Sequence, residues 1–419
     1  LFGGLNKSLS LMDAGSTFDI TSGSQVLGNL NGEAGTIVKL GNNTLTLGTE
    51  NNSSFAGVIQ DNGNIGKIIK QGTGTWSVSG LNTYSGGTAI SAGTIQVGNS
   101  SALGTGTVSM ENGTALAWGA NATIANPFTL NGTAAINSSG FSATLSGVLS
   151  GQGSLNIIDN LNLGTTGGVA NTYSGGTTLA ANKTVTVYKS SALGTGTVTM
   201  AGSTTLKWGA NATIANPFTL NEVAAINSAG FSGALSGILS GNGGLNIVDN
   251  LSLGTVGEAA NTYSGGTTLA TGKTVSVYKS GALGIGTSTM VNGATLLWGT
   301  NATLANPFAL NGTSAINSAG FSGALSGILS GNGGLNIVDN LSLGVVGGAA
   351  NTYSGGTTLA ANKTVTVYKS NALGTGTVTM AGGSTLAWGS AATLANPFAL
   401  NGETTINSSG FSEIGRAHV

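Results

Sequence analysis

Cysteine is absent, histidine occurs once, proline four times, and only 6 % of the 419 residues carry charge. Each scarcity removes a class of function. Without Cys there is no disulfide framework, no thiolate zinc site and no cysteine nucleophile. The same absence suits a chain that must stay unfolded while crossing a membrane. The single histidine, His418, leaves a Ser-His-Asp arrangement without a base elsewhere in the chain and rules out the usual His-rich metal sites. Twelve basic residues against 13 acidic ones give a net charge of −1, and the basic ones are scattered singly. No basic stripe exists to track phosphates, so nucleic acid is not an expected partner. No apolar run approaches the ~18 residues that span a bilayer as a helix. Disorder is disfavoured too, because it needs high net charge and few apolar groups, whereas 40 % of this chain is hydrophobic. Glycine at 73 positions argues against helix, since each interior Gly costs about 1 kcal/mol relative to Ala.

What is present is repetition. NTYSGGT begins at Asn82, Asn171, Asn261 and Asn351, and ALG at Ala102, Ala192, Ala282 and Ala372. NPF places the four prolines, Pro127, Pro217, Pro307 and Pro397, 90 residues apart. Met110, Met200, Met290 and Met380 keep that period, as do Trp118, Trp208, Trp298 and Trp388. Only the first spacing of NTYSGGT is shorter, at 89, because AISAGTIQV has lost one residue relative to TLAANKTVTV.

Within each copy, short runs such as Thr184–Tyr188 and Thr205–Trp208 alternate apolar with polar residues, the signature of a half-buried strand. Gly, Asn and Ser–Gly clusters separate them and supply turns with positive φ. Tandem near-copies favour a stack in which each coil touches only its neighbours over a closed sandwich. The expectation is an all-β stack of coils, a β-solenoid of ~22 residues per coil, four coils per repeat and ~19 in the chain, about 90 Å long. Val185 and Val187 should face in, with Thr184, Thr186 and Tyr188 facing out. Lys183 and Lys189 should flank that strand as guards against edge pairing. Asn side chains should ladder along the axis.

Candidate chemistry is sparse. Asp159, Asp249 and Asp339 occur once per repeat, too far apart to share one scissile bond as a lyase or glycosidase needs. An Asp in an IVDN turn is expected to cap backbone N–H groups. Nonapeptide calcium repeats need an Asp every nine residues, which GNGGLNIVD does not supply. Trp76 and the four periodic Trp residues are expected to cover the coil in preference to stacking on sugars. The Thr runs are too interrupted for an ice-binding array. Asn-Ala-Thr triplets are expected by chance in such a composition. No cofactor, metal or catalytic residue is expected. The structural positions singled out are Tyr84, Gly86 and Gly87; Tyr173, Gly175 and Gly176; Tyr263, Gly265 and Gly266; and Tyr353, Gly355 and Gly356. Each Tyr precedes a Gly pair, which points to turn packing with a hydrogen-bonded hydroxyl.

Residues 66–98 read GKIIKQGTGTWSVSGLNTYSGGTAISAGTIQVG. This string resembles the autotransporter-associated β-strand repeat, also called the passenger-associated transport repeat. A looser copy lies upstream, where Gly35, Lys39, Gly41, Thr44 and Leu45 match Gly66, Lys70, Gly72, Thr75 and Trp76. The later NTYSGGTT units look like expanded relatives. The resemblance implies a right-handed parallel β-helical passenger exported by type V secretion and displayed on a Gram-negative cell surface. It implies a non-enzymatic segment acting in adhesion or self-association and supporting passenger folding during secretion. Partners would be host or bacterial surface molecules or further copies of the chain. The alternative is an inert spacer presenting a functional domain that lies outside it. An outer-membrane β-barrel would follow further C-terminal, and the start at Leu1 without a signal segment reads as an internal fragment. The expected division is residues 1–81 as coils with short repeats, 82–412 as tandem 90-residue repeats, and 413–419, EIGRAHV, as a sequencing-adapter artefact that fits no repeat.

Overall fold

The computed structural model describes residues 3–4, 7–48 and 51–411, so the 413–419 tail and His418 lie outside the described residues. Among the described residues the regular elements are strands of two to five residues, with no helix. Two compact units divide after Thr199. Each is a β-solenoid of parallel strands.

Three-residue strands follow from the sequence. Two inward apolar side chains with one polar residue between them are all that a run such as Phe128–Leu130 offers before Gly, Asn or Ser turns the chain. In Thr184–Val187, Val185 and Val187 are fully buried while Thr184 and Thr186 are half-exposed, as the alternation requires. Tyr188 is half-exposed beside them. On successive rungs Leu145 pairs with Leu163, and Leu163 with Val187, so the core is a column of aliphatic side chains.

In the first unit the coil has three sides. One carries Thr44–Leu47, Lys67–Lys70, Thr88–Ile90, Val108–Met110, Phe128–Leu130 and Leu149–Gly151. The second carries Thr75–Val78, Thr94–Val97, Thr114–Trp118, Ala134–Asn137, Leu155–Ile157 and Thr177–Leu179. The third begins with Thr17–Asp19, Ile37–Lys39 and Val58–Gln60, and resumes with Ala122–Ile124, Ala143–Leu145, Leu161–Leu163 and Thr184–Val187.

The gap in the third side is where NTYSGGT at 82–88 sits, between Thr75–Val78 and Thr88–Ile90. The next NTYSGGT, at 171–177, instead follows Leu161–Leu163 on the third side and leads into Thr177–Leu179 on the second. It therefore occupies the first side. The repeat has advanced by one side.

The register explains why. Pairing leads from Thr94 through Ala115, Ala135 and Asn156 to Thr178, so four coils consume 84 residues. The second unit gives the same figure, from Leu245 through Thr267, Ser288 and Phe308 to Leu329. The sequence period is 90. Six residues, one strand and its turn, remain over. The expected four coils per repeat thus become four coils and one side. In the second unit Thr205–Trp208, Thr295–Trp298 and Thr385–Trp388 accordingly lie in three different sheets. Equivalent residues of successive repeats do not stack on one another.

Candidate functional site

Each NTYSGGT segment interrupts a side on which no strand forms, yet its backbone still needs partners. Asparagine supplies them. In the first unit the buried Asn82 accepts the Ile59 N–H at 2.8 Å and donates to the Ala102 carbonyl at 2.6 Å, joining the coil below to the coil above. Asn171 does the same between Leu149 N–H, at 3.1 Å, and Ala192 O, at 2.7 Å. In the second unit Asn261 joins Leu239 N–H to Ala282 O, at 3.0 and 2.6 Å, and Asn351 joins Leu329 N–H to Ala372 O, at 2.9 and 2.6 Å. The Asn of NPF continues the column: Asn126 donates to Gly104 O and Gly106 O at 3.0 and 2.8 Å. The side-chain amide thus replaces the missing ladder. Asn residues link rungs through backbone groups, where stacking on one another was the expectation. The sequence signal was available in the constancy of that Asn before every TYSGG and every PF.

Two residues after each Asn of NTYSGGT, the tyrosine points into the core. Tyr84, Tyr173, Tyr263 and Tyr353 are fully buried. Each donates its hydroxyl hydrogen to a Thr four residues on, at 2.6, 2.6, 2.5 and 2.5 Å. The Thr hydroxyls pass the bond to Leu103 O, Leu193 O, Leu283 O and Leu373 O, at 3.0 to 3.2 Å. Burial pushes the phenols well above the ordinary range. The glycine pairs let coils approach. A Cβ on Gly355 would lie 2.4 Å from the Gly333 carbonyl carbon, and Gly356 holds φ at +83°. Gly86, Gly87, Gly175, Gly176, Gly265 and Gly266 occupy the same places with similarly short approaches to neighbouring backbone.

The once-per-repeat aspartates sit at corners. Asp159 accepts the Gly140 and Asn160 N–H groups, both at 2.9 Å, and pairs with Lys183 at 2.9 Å. Asp249 with Lys273 and Asp339 with Lys363 repeat this at 2.8 and 2.7 Å. Burial works against the Asp159 carboxylate, but Lys183 and the two N–H groups outweigh it and hold the group well below the carboxylate range. At Asp249 the lysine is the larger influence and the result is the same. Lys363 brings Asp339 down to about 2. The carboxylates are committed to holding turns.

Lys189 does not flank the strand in solvent as expected. It is buried, and its ammonium donates to Val169 O and, at 2.9 Å, to Asn171 Oδ1. Its stem lies against Gly164, so it caps the loop leading into NTYSGGT. Lys279 lies 3.8 Å from Glu258, and Lys369 donates to Gly327 O at 3.2 Å. Lys70 is caged by Gln71 O, Gly72 O and Ala92 O at 3.0, 2.7 and 3.3 Å, and burial pushes its amine down to about 8. A charge at the end of a strand pattern reads as exposed. Only the carbonyl-rich loop folded over it shows otherwise.

The tryptophans are interior. Trp118, Trp208, Trp298 and Trp388 donate their indole N–H to Ala122 O, Ala212 O, Ala302 O and Ala392 O at 3.0, 2.8, 2.9 and 2.8 Å, and are no more than 3 % exposed. They cannot serve as sugar platforms. Among the described residues no three His, Cys, Asp or Glu side chains gather as a metal site, and no helix is long and apolar enough to cross a membrane.

The family model for the Passenger-associated-transport-repeat matches residues 68–97, 161–181, 255–277 and 341–361. Each match contains one NTYSGGT with its buried Asn and Tyr. The stacked parallel coils and these four repeats together fit an autotransporter passenger. No curated protein and no solved structure matches the chain.

Proposed function

We propose that the chain is the body of a surface-displayed passenger, that it acts in adhesion or self-association, and that its repeats support its own folding during secretion. The reading rests on the four passenger repeats being built as hooks that grip a coil on either side. A hook of this kind lets the chain add one coil at a time onto those already formed, because each coil needs only its neighbour. Weak contacts spread along a repetitive surface then sum to avidity without a deep pocket. Its working environment is the outside of a Gram-negative cell, and it performs no chemistry of its own.

The test is display. The chain is fused to an outer-membrane β-barrel in a host that lacks its own adhesins, and cell aggregation and attachment to host cells are measured. Residues 262–351 are deleted in a second strain. The full chain is expected to raise attachment or aggregation above the barrel alone, and the deletion to lower it without blocking display. Equal behaviour of displayed chain and bare barrel would replace adhesion with the inert-spacer reading.

A further inference from the structure

The turn that carries Phe141 is held by three side chains in addition to its own Phe141 N–H to Ser138 O bond. Asn137 Oδ1 accepts the Ser139 N–H, Asn121 Oδ1 the Ser142 N–H and Asp159 Oδ2 the Gly140 N–H, each at 2.9 Å. Ser139 and Gly140 both take positive φ, 52° and 83°. What this fixes in place is a phenyl ring that remains 39 % exposed. Beside the ring lies a cleft of about 250 Å³, lined also by Ser142, Asn160, Asn162, Thr184 and Thr186. Asn160 accepts the Thr184 N–H at 2.8 Å, which sets the plane of its amide. None of the lining side chains is ionisable.

The turn recurs. Phe231 and Phe321 are 40 % and 39 % exposed, follow Gly230 and Gly320 at φ +83° and +82°, and have those glycines held by Asp249 and Asp339 at 2.6 Å. Other exposed positions drift between copies, as Thr133, Val223 and Thr313 do, while the GFS of this turn does not change. An apolar ring kept half in water by a rigid turn is not explained by core packing.

We infer that the Phe141 cleft binds one unit of a neutral saccharide, with a C–H face of the sugar on the phenyl ring and its hydroxyls on Asn162, Thr184 and Thr186. Amides and hydroxyls both donate and accept, which matches a sugar hydroxyl in either role. An aromatic wall with a few convergent polar groups is the usual make-up of a small-ligand site, and the volume lies near the lower end of such pockets, ~300 Å³. With no cation in the lining, a sulfated or sialylated unit would lose the hydration of its charge without compensation. In the later copies Asn162 is replaced by Ser252 and Ser342, which leaves the first cleft with the most hydrogen-bonding capacity. The inference deepens the adhesion reading by naming a ligand class, and its test does not depend on display.

Purified chain is applied to a printed array of neutral, sialylated and sulfated glycans and titrated with methyl hexosides. Neutral glycans are expected to bind. Phe141→Ala is expected to weaken binding about tenfold, Phe141→Trp to retain it, and Phe231→Ala to have a smaller effect. Asn162→Ala, which removes an amide that both donates and accepts from the cleft lining, is expected to weaken it several-fold. Circular dichroism verifies that each variant is folded. Binding confined to charged glycans, no binding at all, or a folded Phe141→Ala that binds as before would overturn the assignment. Displayed cells that adhere while the purified chain binds no glycan would sink the cleft and spare the adhesion reading. A glycan-binding chain that confers no adhesion would do the reverse.

Discussion

The repeat at 68–97 and its counterpart at 161–181 have the same interior and different corners. Both bury an Asn that bridges two coils and a Tyr that donates to a Thr hydroxyl. Around the first, Asp61 grips Ser85 through its N–H and hydroxyl, both at 2.7 Å, and Lys70 is wrapped by three carbonyls. Around the second, Asp159 pairs with Lys183, and Lys189 lies under a loop whose Val169 is 72 % exposed. Both sets of groups link successive coils, yet the Asn and Tyr of the interior are retained while the charged groups at the corners are exchanged. The physical reason is where water can stand in. Removing a buried bridge orphans two backbone groups at full desolvation cost, whereas the N–H groups that Asp159 holds belong to Gly140 and Asn160, which are exposed and can be hydrated in its place.

That contrast can be broken by substitution, read by hydrogen exchange because a solenoid unfolds in parts. Trp298→Ala should be the most damaging, at about 3–5 kcal/mol, since it opens a core cavity and frees the Ala302 carbonyl. Asn351→Ala should follow at roughly 1–3 kcal/mol per orphaned group, with loss of protection at Leu329 and around Ala372. If Asn351→Ala proves neutral, the side-chain ladder is not what holds the strandless side.

The corner carboxylates should show themselves through pH. Their folded values are depressed, so their contribution is complete above the unfolded carboxylate range and is lost as pH falls through the folded value. For Asp339 that window runs from 3.8 down to about 2. Melting followed by circular dichroism should fall across this window, and Asp339→Asn should be less stable by about 3 °C at neutral pH and flatter below pH 4. Lys183→Met should matter least, under about 1 kcal/mol, because that side chain is about one-third exposed. A Lys183 effect as large as that of Asn351 would erase the distinction between interior and corner.

Much of this was legible in the sequence. Alternation in TVTV gave the inward valines, and the Gly pair after each Tyr marked a close approach of backbones. The IVDN aspartates could be read as caps because a lone carboxylate in a turn finds N–H groups first. The one-side advance was not legible. It depends on the difference between a 90-residue period and a four-coil path of 84, and the second quantity exists only as strand register. Burial of Lys189 was hidden for a related reason, since its partners belong to a loop 20 residues earlier that carries no charge. The rigid setting of Phe141 was hidden because Gly-Phe-Ser looks like any turn until Asn121 and Asp159, on other rungs, are seen to hold it.

The six-residue surplus in each repeat makes copy number a matter of direction as well as length. Excising one whole copy from within the second unit leaves every remaining coil with a neighbour of the same kind, so the stack closes without a scar. Whatever follows is swung by a third of a revolution. Three such events restore the original bearing. A gene that gains and loses copies by recombination would therefore steer its distal segments around the axis in fixed steps, without altering a single contact in the core.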